Sequence, residues 1–115
     1  MAPMAHYEQT LSGDVDALIA YLDRAIPEGS ITAKLEDRGD HRVGDARMVV
    51  HVYERYSAAG GNRVSLCISV LAVGTEMSLS AVTAGGSRAM FWKLNTFGES
   101  AFLQRAVDAI RSYPS

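Results

Sequence analysis

The chain has 115 residues, 48% of them apolar and 21% charged, with a formal net charge of −2. That is the make-up of one ordinary globular domain, long enough to bury a core unaided and without the basic excess of a general nucleic-acid binder. A single cysteine, Cys67, excludes an internal disulfide, and no apolar run approaches the ~20 residues needed to span a bilayer. The start of the chain has neither a basic stretch nor an apolar run, so no signal peptide is expected and the reading is cytoplasmic, with no membrane and no nucleic acid as partner.

Met1 to Ala5 reads as a loose lead-in to a domain covering 1–115. His6 to Leu11 alternates as a short strand. Ser12-Gly13-Asp14 is turn-like, and Asp14 or Ser12 can cap the helix that follows. Val15, Leu18, Ile19, Leu22, Ala25 and Ile26 recur at helical spacing, Asp14 and Asp16 suit the helix start, and Pro27 and Gly29 end it. A second strand is expected over Ser30 to Glu36. Asp37 to Asp45 is polar with two glycines and reads as an exposed connection. Its acidic residues and His41 fit no EF-hand or zinc spacing, and no metal or cofactor is expected.

The third strand, Ala46 to Tyr56, is expected to turn Met48, Val50 and Val52 inward and Arg47, His51, Tyr53 and Arg55 outward. Ser57 to Asn62 is a glycine-rich hairpin loop. Val64, Leu66, Ile68, Val70 and Ala72 then make one face of a fourth strand, and Met77, Leu79 and Ala81 one face of a fifth. After Gly85-Gly86 the alternation resumes from Ala89 to Leu94 as a sixth. Thr96-Phe97-Gly98-Glu99 has the form of a capping box, opening a last helix that buries Phe102, Leu103, Ala106, Val107 and Ile110. The order is β-α-β-β-β-β-β-α. Short polar connections favour an antiparallel meander of five to six strands with both helices packed on one face, an α+β domain.

Two features carry functional expectations. Ala59-Gly60-Gly61-Asn62-Arg63 and Ala84-Gly85-Gly86-Ser87-Arg88 share one pattern. In a meander both loops fall on one rim, with Arg63 and Arg88 just inside it and Arg55 close by. Glycine-rich turns present backbone N–H groups to an anion and arginine adds a bidentate partner, so the rim is a candidate site for a small anionic ligand or partner group. Ordinary hairpin chemistry explains the same residues, and neither loop has a phosphate-binding fingerprint. The second feature is the sheet face turned from the helices, expected to carry Arg47, His51, Tyr53 and Cys67 among small hydroxyl residues. It suits a ligand platform, a homodimer face or an ordinary solvated face. His51 and Cys67 on one face would make a nucleophile pair conceivable, yet no third group orients the histidine. The reading favours non-catalytic binding over an enzyme, with a homo-oligomerisation module using the open face as the alternative.

The runs Tyr53-Glu54-Arg55-Tyr56, Gly61 to Leu66 and Gly85 to Glu99 resemble those of a family of small bacterial proteins catalogued as a domain of unknown function. The resemblance spans Tyr7 to Tyr113. It implies a bacterial, cytoplasmic, single-domain protein and supplies no catalytic residue. A coarser similarity is to helix-grip ligand-binding folds, in which a curved antiparallel sheet wraps a C-terminal helix.

Overall fold

Gly44 and Gly74 each carry a positive φ, +58° and +61°, at the first of two loop residues between paired strands. That is the pattern of a II′ hairpin turn, whose twist matches the strands it joins. These two turns organise a five-stranded antiparallel sheet. The computed structural model describes residues 4–28, 33–56, 63–85 and 92–114. Its elements are β1 (Met4–Ser12), α1 (Val15–Ala25), β2 (Lys34–Val43), β3 (Ala46–Tyr56), β4 (Arg63–Val73), β5 (Glu76–Gly85) and α2 (Trp92–Ser112). The spatial order is β1-β5-β4-β3-β2, so β2 to β5 form a meander and β1 closes against β5. The expected α+β architecture is present, with five strands.

The centre of the sheet is β4. Val64, Leu66, Ile68 and Val70 are fully buried on its covered face, each stabilising the fold by about 1.5–3 kcal/mol through lost contact with water. Met77, Leu79 and Ala81 of β5 continue that layer. The α1 stripe of Val15, Leu18, Leu22 and Ile26 and the α2 stripe of Phe102, Ala106 and Ile110 close over it. Asp14, not Ser12, caps α1, its carboxylate accepting from the Ala17 N–H at 3.0 Å. The two helices are tied by the Tyr21 hydroxyl, which donates to the Ala109 carbonyl at 2.7 Å, and by the Tyr21 and Tyr113 rings at 5.1 Å.

Four expectations need correcting. Asp37 to Val43 is not a connection: β2 runs from Lys34 to Val43, with its turn at residues 44–45. As the edge strand it is solvated along most of both faces, so it keeps a polar sequence that hides the alternation. A register shift between Leu35 and Asp37 disturbs the period further. The predicted residues 30–32 lie outside the described ones. In β3 the faces are exchanged: Val49, His51 and Tyr53 are buried and Met48, Val50 and Val52 face outward. Pairing of Tyr53 with Leu66 requires this, because partners across an antiparallel ladder share a face. The expected sixth strand does not extend to Leu94, since Trp92 to Leu94 belong to α2, which therefore begins before Thr96; residues 89–91 are outside the description. Met4, placed in the lead-in, is already paired with Ala84.

Candidate functional site

The uncovered face of the sheet carries an apolar stripe. Met48, Val50 and Val52 from β3 lie beside Leu71, Ser69 and Cys67 of β4. The stripe runs on through Ala46, Val73 and Val43, with Leu71 44%, Val73 47% and Val43 80% exposed. Polar residues flank it on both sides: Ser78, Ser80, Glu8 and Thr10 on β5 and β1, Asp37 and His41 on β2. An apolar centre with a polar border is the anatomy of a protein interface. Cys67 is on this face as expected. Arg47, His51 and Tyr53 are on the opposite, helix-covered face, so Cys67 and His51 do not meet.

The glycine–arginine rim is only partly described. Gly60, Gly61, Gly86 and Arg88 lie outside the described residues. Gly85 pairs with Val64, so Arg63 and Gly85 mark the same end of the sheet, and the two loops leave from that end. Arg63 is ion-paired with Glu54 and its guanidinium lies 5.9 Å from the Tyr56 ring centre. Arg55 is on the other face, 4.8 Å over the Phe102 ring. Burial beneath α2, and then the Arg105 charge, lower its proton affinity. Arg55 and Arg63 therefore face away from each other across the sheet.

The covered face also holds a polar cluster. Asp23, on the third turn of α1, reaches down to β3, where its Oδ1 accepts from the Tyr53 hydroxyl at 2.5 Å and meets His51 Nδ1 at 2.7 Å. Tyr53 is fully buried and His51 5% exposed. Burial pushes the Tyr53 hydroxyl well above the usual tyrosine range, and the hydrogen bond to the Asp23 carboxylate adds to this. Two turns earlier on α1, Asp16 contacts Arg47 at 2.9 Å, and Asp40 of β2 grips the same guanidinium through both oxygens at 2.7 and 3.0 Å. Arg47 thereby holds both carboxyls below their usual range. Between these clasps α1 stands off the sheet and leaves a cleft of about 370 Å³. Ile19, Ala20 and Val49 give it apolar walls, and Arg38 and His51 also line it.

Sequence reasoning missed Asp23, Arg38 and Asp40 as partners of this cleft. One signal was available. Asp16 and Asp23 are seven residues apart, hence on one side of α1, and Arg47 and His51 share one face of β3. Two turns of helix span ~10 Å and four strand residues ~13 Å, so the two pairs of groups can meet in register.

No helix among the described residues is long and apolar enough to cross a membrane. The model of the Family of unknown function (DUF6054) matches residues 4–114. The chain belongs to that family. No curated protein and no solved structure matches it.

Proposed function

We propose that this family member is a non-catalytic binding module that works as a homodimer, two copies packing through the uncovered faces of their sheets. The observation that carries the reading is the apolar stripe along β3 and β4, bordered by polar residues and covered by no element of the described chain. Exposed apolar patches of this kind mark interaction surfaces. Five strands of 9 to 11 residues present a face on the order of 800 Å² at ~4.8 Å strand spacing and ~3.3 Å rise. A standard stable interface buries about that much on each partner. Sheet-on-sheet packing at ~10 Å would interdigitate Met48, Val50 and Leu71 with their counterparts.

Recognition of an anionic group at the glycine–arginine rim is a second reading. The shared end of the sheet for Arg63 and Gly85 supports it, while the Arg63–Glu54 pair opposes it by neutralising one of its cations. Sedimentation equilibrium tests the dimer. The wild-type chain is expected at twice its own mass, and Val50→Glu, placing a charge at the centre of the stripe, at the monomer mass. A wild-type chain that stays monomeric at high concentration overturns the proposal.

A further inference from the structure

We propose that the cleft between α1 and the β2–β3 hairpin binds a small hydroxycarboxylic acid, with its carboxylate on Arg38 and its hydroxyl on His51. The cleft lies on the covered side of the sheet, so it is separate from the dimer face and does not depend on it. Its size, about 370 Å³, equals roughly a dozen water volumes of ~30 Å³, which suits a compact organic molecule.

The commitments already made by its polar groups decide the ligand's chemistry. Arg47 is taken by Asp16 and Asp40. The Asp23 oxygen is taken by Tyr53 and His51. An ionised carboxylate only accepts, so His51 Nδ1 carries the hydrogen on that bond, and in the neutral ring Nε2 is left as an acceptor. Arg38 is the Cα partner of His51 across the β2–β3 ladder, and no ion pair among the described residues engages it. One bidentate cation beside one neutral acceptor calls for an anion that also carries a donor. The three carboxylates in the cleft disfavour a doubly charged ligand, and Ile19, Ala20 and Val49 provide an apolar wall for its hydrocarbon part.

Nuclear magnetic resonance of the His51 ring nitrogens, titrated with mandelate, phenylacetate and inorganic sulfate, tests this. Mandelate is expected to give a saturable shift. Phenylacetate, lacking the hydroxyl, should bind at least about tenfold more weakly, and sulfate, doubly charged and without a donor, should give no shift. Arg38 is exposed, so Arg38→Gln keeps the fold, which the unchanged His51 signals of the unliganded variant would verify. That variant should weaken mandelate at least about tenfold, the loss of one charge-assisted contact. A mandelate shift that never saturates, equal binding of phenylacetate, or full binding by Arg38→Gln overturns the proposal.

Discussion

The Tyr53 hydroxyl donates to Asp23 Oδ1 at 2.5 Å, joining the middle of β3 to the third turn of α1. Because Tyr53 is fully buried, this bond is formed away from water and its loss strands polar atoms. Tyr53→Phe is expected to cost about 1.5–3 kcal/mol, the range for hydrogen bonds to charged groups. Asp23→Ala should cost more, because it orphans both the hydroxyl and the His51 ring nitrogen. Urea unfolding of both variants and of the double variant measures the coupling.

The same tyrosine governs stability at alkaline pH. Its folded-state affinity for the proton is raised, so the folded chain holds a proton that the unfolded chain releases near pH ~10. The contribution is therefore complete below that pH and declines as pH rises above it. Tyr53→Phe should flatten the alkaline fall in unfolding free energy between about pH 9.5 and 11.5. An unaltered slope would show that the hydroxyl is not held protonated by the fold.

Arg47 acts at the opposite end of the pH scale. Asp16 and Asp40 are both lowered by its guanidinium, so their stabilising pairing is intact above the ordinary carboxylate range. It is lost as pH falls through their folded values, below the unfolded value of 3.8. Arg47→Gln should lower stability most above the carboxylate range, modestly because both carboxylates are exposed, and the deficit should shrink towards acid, shifting acid unfolding only slightly to higher pH. Circular dichroism followed from pH 6 to pH 2 gives the comparison.

Neighbouring valines on β3 should respond in opposite ways. Val49 is 3% exposed beneath the helices, so Val49→Glu buries an unpaired charge and should abolish cooperative folding. Val50 lies on the uncovered face, and Val50→Glu should retain native circular dichroism while losing the dimer. If both variants unfold, or both fold, the face assignment of β3 is wrong.

Cys67 reports on the uncovered face directly. It sits on β4 opposite Val52, within the proposed interface. Its reaction with an aromatic disulfide reagent should slow as protein concentration rises, and Val50→Glu should react at one fast, concentration-independent rate. Equal rates at all concentrations for the wild-type chain would place Cys67 outside any interface.

Much of this architecture was legible without coordinates, where one face of an element is clearly apolar and the other is not. Val15, Leu18 and Leu22 marked α1, and Asp14 was one of two capping candidates. Val64 to Val70 marked the covered face of β4, and Phe102, Ala106 and Ile110 the buried stripe of α2. In those segments a slip of one residue would expose the whole apolar set, so local periodicity and global packing agree.

Tertiary structure decided the rest. In β3 both alternations are rich in apolar residues, and Arg47, His51 and Tyr53 look like a solvent face when read alone. Only Asp16 and Asp23, brought over the sheet by α1, and Leu66, fixed opposite Tyr53, turn them inward. From Asp37 on, β2 had no period to read because an edge strand buries little on either side. The His51–Asp23 contact joins residues 28 apart in sequence, so the cleft exists only once helix and hairpin are packed together. Amphipathic periodicity is a property of one segment, whereas the partner that satisfies a buried polar side chain is supplied by another.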